Sequence, residues 1–386
     1  MNQRCLPRVH LAPQVGNVGL DNSDLPTEVV IPDVVENPRF AENRPGVDHE
    51  VSEQCELGGR ECNQLALLPD LAGVVVEFDV GELVSAKGIA EGVSNSNWLI
   101  DTSGKDSAGA RFILTMYEFR IDITELPFFL SLLDHLAEQG CPVPRTIHDR
   151  QGQLYRKMGD KAVALIEFLP GVSVSDPTVG QARAVGAALA QMHLAAAGFS
   201  GSRANGMGLA EWQRLLAECG HDGLQSIDPG LAALVETELP HLAAQWPADL
   251  PRGVIHADLF PDNVLMRGDT VTGLIDFYFA CTDLLAYDVA VTHAAWCFDG
   301  AGRNFNLAIS AALLAGYESV RPLSDAERAA LPRLARGAAL RFTMSRAYDW
   351  LNTPADALVV KKDPLAFARR IEFYADPANA GVFAAS

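Results

Sequence analysis

The sequence predicts an α+β chain in two lobes, a small β-rich lobe carrying one helix and a larger lobe that is mostly helical. Three observations predict it. Short β-branched and aromatic runs crowd residues 74–117. A Leu169-Pro170-Gly171 break follows the last such run, at 162–168. Beyond it, apolar residues recur with helical period almost to the C-terminus. In the first lobe, residues 74–78, 97–100 and 111–117 read as strands, with the Gly/Ser/Asp cluster at 103–109 as a hairpin turn. Phe128, Phe129, Leu132, Leu133 and Leu136 share one face of a helix expected over 126–139. In the second lobe, helices are expected near 179–197, 231–246, 286–298, 305–317 and 325–350. Among them lies a hairpin, 264–266 with 271–275, turned by Arg267-Gly268-Asp269-Thr270. The lobes are placed at 65–169 and 170–386.

At 386 residues the chain is long enough for two cores, and 48% hydrophobic with 20% charged residues is ordinary for a globular protein. A formal net charge of −19 argues against nucleic acid or an anionic membrane as partner. No stretch approaches the roughly 20 apolar residues of a membrane span. The N-terminus lacks the apolar run of a secretory signal, so a cytoplasmic location is expected. Seven scattered cysteines with no C-x-x-C pair suggest neither a disulfide framework nor a zinc site. Residues 1–70 hold 12 acidic residues against five arginines and no lysine, with little apolar periodicity. Such a segment buries too little apolar surface to offset its ordering entropy. Residues 1–64 are therefore read as a disordered or loosely packed extension.

The chemistry concentrates between His256 and Asp276. His256-Ala257-Asp258-Leu259-Phe260-Pro261-Asp262-Asn263 has the form H-x-D-x-x-x-x-N, and Ile275-Asp276-Phe277 follows across the short hairpin. Phosphoryl transfer asks a protein mainly for positioning and charge neutralisation. Asp258 is placed to accept or orient the proton of an attacking hydroxyl. Asn263 and Asp276 are oxygen donors suited to magnesium, and the hairpin returns one beside the other. His256 is read as bracing the loop by hydrogen bonds. The spacings match the catalytic loop and metal-binding Asp of protein kinases, and no G-x-x-x-x-G-K-[ST] loop is present. The string Lys87-Gly88-Ile89-Ala90-Glu91-Gly92-Val93-Ser94-Asn95-Ser96-Asn97 joins two expected strands. It reads either as backbone amides offered to phosphates or as a plain hairpin.

With these residues in hand, the chain resembles the aminoglycoside phosphotransferase-like superfamily, which has H-x-D where most protein kinases have H-R-D. Several strings resemble the bacterial homoserine kinase family within it: Lys87–Asn97, Gly253–Asn263, Gly273–Cys281, Ala295–Phe298, Leu340-Arg341-Phe342 and Tyr348–Pro354. The likeness runs from about residue 65 to 375. It implies a bilobal protein-kinase-like fold and ATP-dependent phosphorylation of the side-chain hydroxyl of L-homoserine, with Mg2+. It implies Asp258 as base and Asn263 and Asp276 as metal ligands. Lys87, Gly88, Gly92, Asn95 and Ser96 would lie over the nucleotide phosphates, and Glu167 and Leu169 would form a hinge for adenine. One departure stands out: Thr115 occupies the strand position where kinase-like enzymes usually carry a phosphate-binding Lys, and Lys87 is the nearest substitute.

An amino-acid substrate presents a carboxylate and an ammonium, which a forked Arg and an acid would receive. Asp283, Arg341, Arg346 and Asp349 are the candidates, with Arg346/Asp349 equally readable as a surface ion pair. Two other readings remain open at this stage, a kinase of another small alcohol and a nucleotide-binding protein without turnover.

Overall fold

The computed structural model describes residues 71–384 apart from 92–94, 106–107, 118–121, 159–160 and 355–360. The expected extension at 1–64 and the turn residue Gly92 lie outside the described residues, as does the side chain of Asn95. The smaller part is a six-stranded antiparallel sheet. Its strands are β1 (Leu83–Glu91), β2 (Asn95–Thr102), β3 (Ala110–Tyr117), β4 (Thr146–Ile147), β5 (Arg156–Met158) and β6 (Lys161–Glu167). They run in the order β1-β2-β3-β6-β4, with β5 also on β6. The helix α1 (Leu126–Glu138) follows β3.

Strand alternation gives this sheet two different faces. Trp98, Ile100, Leu114, Met116, Val163 and Leu165 turn to one side and pack with Leu71, Val75 and Phe78. Tyr117, Ala162 and Ala164 turn to the other and meet Leu126 and Leu130 of α1. Residues 71–77 are helical, which corrects the strand expected at 74–78. Three consecutive valines suit a strand, but Leu71, Val75 and Phe78 form an i, i+4, i+7 stripe that the sheet buries. Burial of that stripe overrides the local preference. The first strand is instead β1, whose Ser, Gly and Ala content hides it from a propensity reading.

The larger part begins with α2 (Val179–Ala196), α3 (Leu209–Ile227) and α4 (Leu231–Gln245). Two small sheets follow, β7 (Arg252–Ile255) with β10 (Cys281–Leu284) and β8 (Val264–Arg267) with β9 (Thr270–Leu274). The chain ends in α5 (Leu285–Trp296), α6 (Leu307–Glu318), α7 (Asp325–Asn352) and α8 (Leu365–Ala375). Helix α3 escapes a periodicity reading because Gly220, at φ 65°, kinks it. The core of this part is one continuous cluster of aliphatic and aromatic side chains, and α5 is buried along its whole length. No helix among the described residues is long and apolar enough to cross a membrane.

Candidate active site

The two small sheets bring the loop residues together. Cys281 pairs with Ile255 and Val264 with Leu274, so the segments leaving β7 and β9 emerge side by side. The Ile275 N–H donates to the Asn263 carbonyl at 3.0 Å, closing the hairpin onto the loop. His256 is fully buried between them. Its Nε2 donates to the Ile275 carbonyl at 2.9 Å, and its Nδ1 accepts from the Asp258 N–H at 3.3 Å. Burial pushes its pKa below the ordinary histidine value, against the nearby charges of Asp288 and Asp258. A neutral ring with its hydrogen on Nε2 satisfies both bonds.

The loop carries backbone strain. Ala257 (φ 62°) and Asp276 (φ 64°) both sit in the left-handed region, which costs a non-glycine residue on the order of 1–3 kcal/mol. Ala257 is clamped at both ends: its N–H donates to Asp288 Oδ1 at 2.8 Å, and its carbonyl accepts from Arg341 Nη1. Asp288 Oδ2 accepts from the His256 N–H at 2.7 Å and faces His193 Nε2 at 3.0 Å. Burial alone would raise the Asp288 carboxyl, but His193 and His256 outweigh it and hold it below the usual range. The Trp296 Nε1–H donates to the Leu259 carbonyl at 2.9 Å and pins the next turn. The loop conformation is thus over-determined by buried partners, as a strained site requires.

The loop brings two carboxylates and an amide together. The Asn263 amide nitrogen donates to the Asp258 carbonyl at 2.8 Å and to its Oδ2 at 3.3 Å, which leaves the amide oxygen for another partner. Desolvation raises the Asp258 pKa, with Arg341 and His256 pulling the other way. Asp276 is exposed to solvent, yet its carboxyl is crowded by protein. That crowding, then the charges of Asp258 and Asp262, push it up to about 7. Acids that repel one another in this way fit a cation. Among the described residues no group of three His, Cys, Asp or Glu side chains is arranged to hold a metal. One Asp and one Asn suit magnesium, which takes few protein ligands and completes its shell with phosphate and water oxygens.

The remaining predicted residues divide. Lys87 lies within β1 opposite Leu99, not in the turn, and is exposed. It shares a sheet face with Leu99 and Ile113, the face that also carries Thr115. Thr115 is buried and its hydroxyl donates to Asn97 Oδ1 at 2.7 Å, so the usual lysine position is filled by a neutral pair. Gly88 pairs with Trp98. Ser96 pairs with the core residue Met116, on the opposite face from Asn97. The Glu167 N–H donates to the Arg145 carbonyl at 2.9 Å, leaving its carbonyl and the Leu169 backbone beyond the strand end. A cavity of about 400 Å3 lined by Phe78, Phe112 and Ile147 opens on the far side of the sheet from Thr115, away from the loop.

Two of the residues expected at the substrate have partners within the protein. The Asp283 carboxylate accepts from Asn205 at 2.7 Å and the Leu284 N–H at 2.8 Å, and pairs with Arg252 at 3.2 Å. It sits opposite Gly253, at the end of the ladder away from the loop. Arg341 is 1% exposed and lies beneath Asp258, 3.9 Å from its carboxylate, between the rings of Phe279 and Phe342. Both side chains are engaged within the protein. Arg346, further along α7, is half-buried over the Phe367 ring and donates to the Asp363 carbonyl at 3.2 Å. Desolvation lowers its pKa, opposed by Asp363, Asp258 and Asp262. Asp349 is exposed one turn later. Asp288 and His193 are functional-site residues that the sequence pattern does not single out; the available signal is a polar residue buried on the core side of each helix.

The geometry can be set beside known proteins. The family model described as APH, phosphotransferase enzyme family, matches residues 85–323. The homoserine kinase of Gluconacetobacter diazotrophicus is 51% identical over 299 residues, 77% of this chain and 91% of that protein. That of Gluconobacter oxydans is 49% identical over 317 residues, 80% of this chain and 98% of that protein. The chain belongs to the homoserine kinases of the APH family. Membership makes it a small-molecule phosphotransferase with the bilobal α+β fold. Solved structures agree on the fold. An amicoumacin kinase in complex with AMP-PNP, Ca2+ and Ami superposes with a TM-score of 0.59 at 16% identity, covering 84% of this chain and 96% of that one. A spectinomycin phosphotransferase in complex with ADP and spectinomycin gives 0.58 at 14% identity, covering 82% and 97%.

Proposed function

We propose that this protein transfers the γ-phosphoryl group of ATP to the side-chain hydroxyl of L-homoserine, giving O-phospho-L-homoserine and ADP in threonine biosynthesis. The observation that carries the choice of substrate is identity near one half with homoserine kinases over about four-fifths of the chain. The reading takes residues 65–169 as the nucleotide lobe and 170–386 as the catalytic lobe, acting in the cytoplasm.

Asp258 orients the homoserine hydroxyl and takes its proton as the oxygen–phosphorus bond forms and the bond to the ADP oxygen breaks. Its raised pKa suits a proton acceptor, and the Arg341 guanidinium, 3.9 Å away, favours its charged form. His256, Asp288 and Arg341 hold the strained Ala257 and hence the aim of Asp258. Asn263 and Asp276 would hold a divalent cation, taken here as Mg2+, which supplies charge neutralisation at the phosphates when bound. Lys87 is assigned the phosphate contact that Thr115 cannot make, with Gly88, Gly92, Asn95 and Ser96 around the turn. The Glu167 carbonyl and the Leu169 N–H are assigned to adenine. Arg346 is assigned the substrate carboxylate and Asp349 its ammonium.

The test is Asp258→Asn assayed with homoserine, an amino alcohol, a sugar and an aminoglycoside. Turnover of homoserine should fall by about 10²-fold or more in the variant, the scale of general-base contributions, with nucleotide affinity retained. Turnover by the parent of another alcohol and none of homoserine would overturn the substrate. Unchanged turnover in the variant would overturn the base.

A further inference from the structure

Helices α2 and α6 cross backbone to backbone. A Cβ on Gly186 would lie 2.0 Å from the Leu313 carbonyl oxygen, and one on Gly316 would lie 1.9 Å from that of Arg183. This close crossing sets Tyr317 beside His193. The Tyr317 hydroxyl is 2.8 Å from His193 Nδ1, Arg321 Nη1 donates to the same hydroxyl oxygen at 3.0 Å, and Arg321 Nη2 donates to Glu327 Oε1 at 2.7 Å. Glu327 is itself fixed by Ser324, in the capping box that opens α7. All five side chains from Glu327 to Asp288 are buried or nearly so.

The order of donors gives this chain of contacts a direction. Arginine can only donate, so the Tyr317 oxygen accepts from it and the hydroxyl hydrogen points on to Nδ1. Nδ1 is then the bare nitrogen, and Nε2 carries the hydrogen that Asp288 Oδ2 receives. The same oxygen accepts from the His256 amide, and its neighbour accepts from Ala257. Reversing the tautomer would set a bare Nε2 against the carboxylate, a repulsive contact at the group that clamps the catalytic loop.

We propose that Tyr317, backed by Arg321 and Glu327, is a positioning residue for phosphoryl transfer, which selects the His193 tautomer that keeps Asp288 locked on the His256 and Ala257 amides. The proposal rests on the reading of Asp258 as base, since it concerns the aim of that carboxylate. The fold supplies its own control. Tyr374 places its hydroxyl 2.7 Å from Nδ1 of another buried histidine, His293, whose Nε2 is 2.8 Å from Ser310 Oγ. That group makes no hydrogen bond to the loop among the described residues. Deleting either tyrosine hydroxyl removes the partner of a buried histidine Nδ1, and Tyr317→Phe also removes an acceptor of Arg321, but only Tyr317 is connected to Asp258.

The experiment compares Tyr317→Phe with Tyr374→Phe, by melting temperature, steady-state kinetics and the 15N spectrum of labelled histidines. Tyr317→Phe should lose at least as much thermal stability as Tyr374→Phe, since it also costs Arg321 an acceptor. Tyr317→Phe should lower kcat about tenfold or more, within the range a misplaced catalytic group produces. It should leave KM for ATP and homoserine within about twofold, because no contact to either substrate is removed. The His193 signals should change from one Nε2–H tautomer to a mixture, and the kcat of Tyr374→Phe should stay within about twofold of the parent, as expected without a link to the transition state. Unchanged kcat or an unchanged tautomer in Tyr317→Phe, or an equal kcat loss in Tyr374→Phe, overturns the proposal. If Tyr317→Phe does not fold, Arg321→Met keeps both rings and must lower kcat about threefold or more, reflecting a weakened but surviving hydroxyl contact; unchanged kcat in it overturns the proposal equally. A parent protein inactive on homoserine would sink the proposed substrate, while the histidine spectra would still decide this inference.

Discussion

Replacing Asp288 by Asn keeps the volume and removes one acceptor. The native carboxylate receives the His256 N–H at 2.7 Å, the Ala257 N–H at 2.8 Å and the His193 Nε2–H at 3.0 Å. Asn offers one oxygen and one NH2, so the NH2 must face at least one of these donors. One bond to a charged acceptor is lost, about 1.5–3 kcal/mol, and the two that remain fall to the neutral range, about 1 kcal/mol less each. Relief of a buried charge offsets part of this. The net expectation is a destabilisation of about 3 kcal/mol near neutral pH, read as a lower urea midpoint. Asp288 also holds Ala257 in its left-handed conformation, so kcat should fall by about 10²-fold, the scale of a misplaced catalytic group. The pH dependence carries a sign. The folded carboxyl is held below its ordinary value of 3.8, so its contribution is complete above that value and is lost as pH falls through the folded pKa. The gap between parent and variant should therefore be constant from pH 5 to 8 and narrow in stronger acid. A variant within about 1 kcal/mol of the parent, the size of one ordinary hydrogen bond, and with kcat unaltered would refute the clamp.

Three further outcomes are expected. Lys87→Met should lower kcat/KM for ATP by about 10- to 100-fold, the equivalent of one charge-assisted bond of about 1.5–3 kcal/mol; unaltered ATP kinetics would remove Lys87 from the phosphate site. Gly186→Ala drives a methyl into the Leu313 carbonyl and should destabilise by about 1–3 kcal/mol or more as the helices part, seen as a melting point several degrees lower. Burial takes the His293 pKa down to about 3 from 6.5, so the unfolded chain gains a proton first and stability falls as pH drops from 6.5 toward 3. His293→Gln should thus reduce the stability lost between pH 7 and 5 by roughly 2 kcal/mol, at about 1.4 kcal/mol per pH unit, and an unchanged slope would refute it.

What the sequence made legible was set by how local each feature is. Asp258, Asn263 and Asp276 lie within 19 positions of one another. A two-strand hairpin needs only short-range pairing to bring them together, so spacing alone exposes the constellation. Helices α1, α2, α6 and α7 were legible because each buries a stripe of apolar residues at helical period. Residues 74–78 were misread because the periodicity that decides them starts at Leu71 and needs the sheet to bury it. The partners of Arg341 and Asp283 were hidden for the complementary reason: a charged side chain near a motif in sequence can be engaged by partners that only the tertiary fold supplies.

The loop clamp was least legible, and its construction explains why. His193, His256, Asp288, Tyr317, Arg321 and Glu327 sit on four different helices or the loops between them, and no two helices of the set are joined by a motif. What places Tyr317 against His193 is the absence of two side chains, at Gly186 and Gly316, which lets α2 and α6 approach until backbone meets backbone. A glycine inside a helix reads from sequence as a weakness of about 1 kcal/mol. Here it is the condition for a buried hydrogen-bond chain that ends on the His256 and Ala257 amides, just ahead of Asp258. The two glycines and the strained Ala257 are therefore linked. Local stability is given up at the helix crossing and again at the loop, and the buried polar chain between them holds both in place.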